Sequence, residues 1–208
     1  MGKPDERIER TMAALMKNRM EAYFVETRAE VVQMVGRLLH EGDTVSCGGS
    51  VTLAECGVLE LLADGDYEFL DRNLPGLSPE EIGEVSRDTF YADAFVTSTN
   101  AVTENGELYN TDGNANRVAA MAFGPASVII VAGKNKIVPD LHAAAHRVKT
   151  VAAPLNAKRL SCNTPCALTG ECCECTSPAR ICCTTVIHRY QRIPGRIKVI
   201  LVGEDLGY

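Results

Sequence analysis

Seven of the nine cysteines of this 208-residue chain lie between Cys162 and Cys183, in the stretch RLSCNTPCALTGECCECTSPARICC. Cys166, Cys172, Cys175 and Cys182 are separated by five, two and six residues. The two-residue gap between Cys172 and Cys175 lets a single turn present both sulfurs to one metal centre. Gly170 and Pro178 supply the bends. Zinc would close four such thiolates into a tetrahedron, and a [4Fe–4S] cluster would take the same four, so the spacing does not choose between the two cofactors. Cys162 is a further ligand candidate, while Cys173 and Cys183 are extra thiols. The plainer reading is a flexible thiol-rich loop. A metal centre is the better expectation, because a long excursion poor in hydrophobic residues needs something to organise it.

A second chemistry is anion binding. CGGS (Cys47 to Ser50) has two glycines that let a backbone approach a ligand, followed by a helix start with free N–H groups, so Gly48, Gly49 and Ser50 are candidates. In TSTNAVTENGELYNTDGNANR (Thr97 to Arg117), Asn100, Asn114, Asn116 and Arg117 crowd around a hairpin and a helix start. Arg117 stands in a first helical turn, against the dipole, which suits an anion or a carboxylate nearby. In GKNKIV, Lys134 and Lys136 follow an apolar strand, and Lys134 is taken as the cation of the site. Each has a plainer reading: a tight strand-to-helix turn, cap residues, and solvated lysines. Cys47 and Cys56 read as small buried hydrophobes.

These residues need elements to position them. Ile8, Met12, Leu15 and Met16 follow helical spacing. Strands are expected at Ala22–Val25, Thr44–Cys47, Tyr67–Asp71, Ala94–Ser98, Ser127–Gly133 and Ile197–Val202. Capping boxes at Thr27/Glu30, Thr52/Glu55 and Ser78/Glu81 open helices between them, the second running through Leu62. Asp140 caps a helix over Leu141–Lys149. Asn105-Gly106, flanked by Val102 and Leu108, predicts a hairpin in which both turn residues tolerate positive φ. Strands alternating with helices predict an α/β fold, an open and mainly parallel sheet with helices on both faces. The strands' carboxyl ends are where such sheets bind ligands. One domain over residues 1–208 is expected. Residues 154–194, without clear periodicity, form a Cys-rich excursion within it.

Bulk properties narrow the function. A net charge of −6 argues against nucleic acid as a partner. No apolar run approaches the roughly 20 residues of a membrane span. The charged opening MGKPDERIER is not followed by the apolar core of a secretory signal. A cytoplasmic protein is expected, in a compartment where clustered thiols favour metal or catalysis over disulfides.

The segments GGSVTLAECG, ADAFVTSTNAVTENGELYNTDGNANRVAAMAFGP, VIIVAGKNKIV, RLSCNTPCALTGECCECTSPARIC and GRIKVILVGEDLGY resemble the LUD-domain family, which includes lactate-utilisation protein C. The resemblance covers almost the whole chain. It implies a fold like that of the NagB, RpiA and CoA-transferase proteins. It also implies an accessory role in oxidising L-lactate or a related 2-hydroxy acid, with a small anionic metabolite and iron–sulfur proteins as partners. The Cys-rich tail departs from lactate-utilisation protein C. The family brings no settled catalytic residue. TENG is similar to the Glu-Asn-Gly motif of class I CoA transferases, which would make Glu104 a nucleophile or base in an acyl-CoA transferase or a sugar-phosphate isomerase. The simpler expectation is a hairpin turn with a solvated Glu104. A non-catalytic metabolite-binding subunit is the remaining alternative, and a homodimer is expected on general frequency.

Overall fold

The computed structural model describes residues 3–208; Met1 and Gly2, at the start of the charged opening, lie outside the described residues. Six parallel strands form the main sheet: β1 (Glu21–Val25), β2 (Thr44–Cys47), β3 (Glu68–Leu70), β4 (Ala94–Ser98), β7 (Ser127–Gly133) and β10 (Ile197–Val202), in the spatial order β1-β10-β7-β4-β2-β3. The alternation of strands and helices dictates this arrangement, since each parallel crossover carries its helix onto one face of the sheet. The central strands are apolar on both sides. Along β7, Val128, Ile130 and Ala132 face one core while Ile129 and Val131 face the other. Ile197, Val199 and Leu201 of β10 divide from Ile200 and Val202 in the same way.

Helices α2 (Val31–Leu38), α3 (Val51–Glu55) and α4 (Val58–Asp64) cover the first face through Val31, Val35, Leu53, Val58 and Leu62. Helices α1 (Glu6–Lys17) and α6 (Asn116–Phe123) cover the second through Ile8, Leu15, Ala120 and Met121. Helix α5 (Pro79–Asp88) carries the capping box expected of it, with Ser78 accepting from the Glu81 N–H and Glu81 accepting from the Ser78 N–H.

The other two boxes are not formed. Glu30 turns back to the Glu26 N–H, and residues Arg28–Glu30 form a 3₁₀ turn ahead of α2. At the next helix Ser50 is the cap, accepting from the Leu53 N–H, and Thr52 lies buried within the first turn. The helix expected to run through Leu62 is interrupted at Cys56-Gly57, where Gly57 adopts φ +72°.

A smaller sheet stands at one end. Strands β5 (Ala101–Thr103) and β6 (Leu108–Asp112) form the expected hairpin; β8 (Ile137–Val138) joins β5 in parallel, and β9 (Thr184–His188) joins β6 antiparallel. β9 corrects the reading of residues 154–194 as one long excursion. So does the start of that segment: α7 (Leu141–Arg147) continues through a π turn over Val148–Ala152 into α8 (Ala153–Arg159). Pro154 lacks an N–H, and the widened turn before it accommodates that loss without ending the helix. The irregular parts are the stretch from Leu160 to Cys183, which holds only the short helix α9 (Pro165–Thr169), and residues 189–194 after β9.

In the hairpin turn only Gly106 takes positive φ, at +75°, and Asn105 does not. A Cβ on Gly106 would lie 2.4 Å from the Ala14 carbonyl carbon of α1. Asn18 completes the contact, donating to the carbonyls of Asn105 and Gly106 at 2.9 Å each. Gly106→Ala is therefore expected to cost at least about 2 kcal/mol, from left-handed strain plus a backbone clash. Gly36, inside α2 with nothing within 4 Å of a Cβ, should behave oppositely, gaining about 0.5–1 kcal/mol as alanine. Urea unfolding of the two variants checks the pair, and equal effects of the same sign would refute the packing argument.

Candidate functional site

The carboxyl ends of β2, β4 and β7 open into a cleft of about 300 Å³. Glycine shapes its first wall. Gly48 continues the ladder from β2, its N–H donating to the Val96 carbonyl, and a Cβ there would sit 2.5 Å from Thr97 Oγ1. Gly49 and Ser50 then line the cleft. The second wall comes from Asn100, Asp112, Asn114, Asn116 and Arg117, where β4 hands over to the smaller sheet. Arg159 of α8, Arg180 of the Cys-rich segment and Tyr208 close the third side.

The structure thus brings Gly49, Ser50, Asn100, Asn114, Asn116 and Arg117 to one place, with Gly48 bordering a small adjoining recess. It leaves out Lys134, which is solvent-exposed on the 3₁₀ turn after β7. Two residues on, Lys136 is only 3% exposed and lines the cleft. A tight 3₁₀ turn sends neighbouring side chains in different directions, so one lysine faces water and the other faces inward.

Arg117 does not offer a free fork to a ligand. Its guanidinium pairs with Asp112 Oδ1 at 2.6 and 2.9 Å and also donates to Asn110 Oδ1 (2.7 Å), the Ser98 carbonyl (3.0 Å) and Asn100 Oδ1 (3.2 Å). The carboxylate it was placed for is the protein's own. Asp112 Oδ2 also accepts from the Val118 N–H, anchoring the first turn of α6. Just before it Ala115 holds φ +61°, a left-handed conformation unusual for alanine.

Lys136 is different. Its Nζ donates to Thr52 Oγ1 at 2.8 Å and Ser98 Oγ at 2.9 Å, and no carboxylate pairs with it among the described residues. Burial pushes its ammonium down to about 7, and the charges of Arg147 and Arg117 act in the same direction. The charged groups lining the cleft are Arg72, Arg117, Lys136, Arg159, Arg180 and a single carboxylate, Asp112, already paired. A protein of net charge −6 therefore keeps a cationic cleft. Such a site favours a small anion able to accept hydrogen bonds.

Glu104, the candidate nucleophile, is not in this cleft. It pairs with Arg7 at 2.8 Å and Arg10 at 3.4 Å, tying the hairpin to α1. The Arg7 hydrogen bond, more than any other contact, holds its carboxyl below the usual range. Thr52, Arg72, Ser98, Arg159, Arg180 and Tyr208 also line the cleft beside Lys136, and, Tyr208 aside, no local motif marks them as cleft residues. The signal for Tyr208 was the EDLGY ending: Asn135 donates to the Leu206 and Gly207 carbonyls and accepts from the Leu206 N–H, which fastens the tail beside the cleft.

The thiols gather elsewhere. Cys166, Cys172, Cys175 and Cys182, with Cys173, line a neighbouring cavity of about 360 Å³, whereas Cys162 and Cys183 do not. None of the nine cysteines is in a disulfide. No three metal-ligating side chains among the described residues lie close enough to share one ion. Cys47 and Cys56 are buried, and desolvation raises both thiols to about 11, as expected of small apolar packing groups.

Lys136 carries a measurable signature. The unfolded lysine keeps its proton up to about 10.5, whereas the buried one releases it near about 7. Between those values the unfolded chain binds more protons, so wild-type stability should rise with pH across that window. Lys136→Met is expected to gain about 1–3 kcal/mol at pH 6, where the buried ammonium is charged. The gain should fade as pH approaches 10. Urea unfolding across this range is the check, and a destabilised Met variant at pH 6 would contradict the electrostatic reading.

Comparison with known proteins places this architecture. No curated protein matches the chain in sequence. Among solved structures it is similar to a DUF162 family protein from Deinococcus radiodurans, with a TM-score of 0.55 and 17% identity over 97% of this chain and 99% of that one. Weaker likenesses are to eIF2B beta from Chaetomium thermophilum (TM-score 0.37, 16% identity, 54% of this chain and 43% of that one) and to the eIF2B-beta2-delta2 complex from C. thermophilum (TM-score 0.37, 17% identity, 55% and 45%). The Deinococcus structure shares the fold from end to end. The LUD domain model matches residues 8–202, and the chain belongs to the LUD domain family.

Proposed function

We propose that the protein binds a small carboxylate metabolite in the cationic cleft, a 2-hydroxy or 2-oxo acid of the lactate and pyruvate type, as an accessory component of lactate utilisation. The LUD family is associated with lactate utilisation. What supports the finer reading is Lys136. A cation buried to 3% exposure with only two hydroxyl partners is costly to keep, and a ligand carboxylate would offset that cost. Arg72, Arg159 and Arg180 stand around the same opening, where the substituents of a short acid would reach them. Iron–sulfur proteins that pass on electrons from 2-hydroxy-acid oxidation are the partners this role calls for.

The rival enzyme readings, acyl-CoA transfer or sugar-phosphate isomerisation through Glu104, draw no support from the geometry. Glu104 is engaged by Arg7 and Arg10 and does not border the cleft. The groups that do border it can bind and orient an acid. Lys136, with its proton held near neutrality, can also exchange a proton with the ligand.

Binding should be linked to protonation. The carboxylate favours the charged lysine, so the ligand raises a pKa that lies near about 7 in the free protein. Affinity for L-lactate or pyruvate should be greatest below pH 7 and should weaken by up to about tenfold per pH unit above it. Proton uptake on binding at pH 8 follows from the same linkage, and calorimetry in buffers of different ionisation heat reads it. Lys136→Met should lose at least about tenfold in affinity, whereas Lys134→Met should bind as wild type. Unchanged affinity in Lys136→Met, or no proton uptake, would sink this reading.

A further inference from the structure

We infer that the cavity beside the cleft is the seat of a four-iron iron–sulfur cluster ligated by Cys166, Cys172, Cys175 and Cys182. Four observations converge. These four thiols line one cavity of about 360 Å³ together with Cys173, and the flanking Cys162 and Cys183 do not. Much of the rest of the lining is apolar, including Ala145, Val148, Ala153 and Ala157 from the helix that carries the π turn. An apolar shell of this kind shields a cluster from water and tunes it.

The loop between the thiols is held by little else. Among the described residues, nothing accepts from the backbone N–H groups of Cys172 to Thr176. Glu174, between the paired cysteines, takes φ +53°, a costly conformation for a glutamate. That turn brings Cys172 and Cys175 to the same cavity. Unengaged N–H groups next to thiolates are what cluster sulfurs accept from.

Two of the sulfurs already have hydrogen-bond partners. Arg180 donates to Cys182 Sγ at 3.3 Å while bonding the Cys175 and Cys182 carbonyls, and Thr164 Oγ1 lies 3.4 Å from Cys166 Sγ. Arg180 also borders the cavity, and its charge suits the net negative charge of a cluster with four thiolate ligands, whereas Lys149 there is already paired with Glu174.

The same geometry speaks against zinc. One zinc ion needs four sulfurs at about 2.3 Å from a single point. No three donors among the described residues gather to that degree. A cubane takes one cysteine on each of its four irons, so its ligands stand further apart around a larger void. Here the four thiols share one cavity of about 360 Å³, and no three donors among the described residues close on a single ion. Thr111, Arg180 and Ile181 line both this cavity and the cationic cleft, so the cluster lies one side chain from the bound acid.

The test uses the full chain, purified without oxygen and then supplied with ferrous iron and sulfide. Expected are about four irons and four acid-labile sulfides per chain, with a brown colour that dithionite bleaches. Cys172→Ala and Cys182→Ala should each lose at least half of the bound iron and sulfide. Cys162→Ala and Cys183→Ala should keep them, and circular dichroism reports whether each variant is folded. A colourless protein holding one zinc per chain overturns the inference, as does no metal uptake or equal iron loss in all four variants. The pH-dependent acid affinity is read on the metal-free protein, so a failed cluster and a failed cleft are told apart.

Discussion

The ion pair between Arg117 and Asp112 governs how the two sheets meet. Asp112 ends β6 in the smaller sheet, and the Arg117 guanidinium also reaches the Ser98 carbonyl at the end of β4 in the main one. Asn100, in the link between the two sheets, and Asn110 of β6 fill the remaining positions of the fork, and Asn100 is bonded to Asn110 and Thr111 of β6. Both charged side chains are nearly buried, and a buried pair of this kind stands only when its other donors and acceptors are satisfied, as they are here. Loss of either partner would leave a charge in the interior. The cleft inherits its shape from this constraint, because the same residues form one of its walls. The pair is thus a framework for the cleft, and the buried cation without a carboxylate partner, Lys136, lies elsewhere.

That division of labour explains why Lys136 can remain without a carboxylate. Among the described residues Asp112 is the one acidic side chain bordering the cleft, and Arg117 has claimed both its charge and its geometry. Arg147 adds further positive potential while pinning the Asn100 and Asn135 carbonyls. The fold therefore places its acidic surplus away from the cleft and leaves an unbalanced cation at the end of the central strand. Opposed charge of this kind is maintained against stability, and sites that bind ligands are where such costs persist.

The main sheet was legible because its signals are physical and local. SVIIVAG and IKVILV are apolar on both faces, which only a central parallel strand can bury. Asn105-Gly106 announced the hairpin, and the structure adds that Gly106 is required by the approach of α1 as well as by its turn. The failures are equally physical. Thr52 and Glu55 have the spacing of a capping box, but Ser50 begins the helix and the Thr52 hydroxyl accepts from Lys136. A local pattern could not reveal that a tertiary partner 84 positions away would claim that hydroxyl. Lys134 and Lys136 differ only in which way a 3₁₀ turn points them. β9 was hidden because TTVIH is a short edge strand next to thiols. Its run of β-branched residues was the available signal. The helix through Pro154 was hidden because proline usually ends one, and here a π turn absorbs the missing N–H.

Arg180 links what the sequence kept apart. Its guanidinium lies in the wall shared by the two cavities, bonded to the carbonyls of Cys175 and Cys182 and to the Cys182 sulfur. Its Nε is buried without a partner. A guanidinium in that position feels charge from both sides. An acid in the cleft and negative charge among the thiols would each stabilise it, and each would compete for the same five donors. Whatever alters the charge in the thiol cavity must therefore alter the field felt by a carboxylate next door. One cation, fixed by the Cys175 and Cys182 carbonyls, borders both compartments. The Cys-rich segment thus meets the cleft at this residue, whose guanidinium borders both cavities.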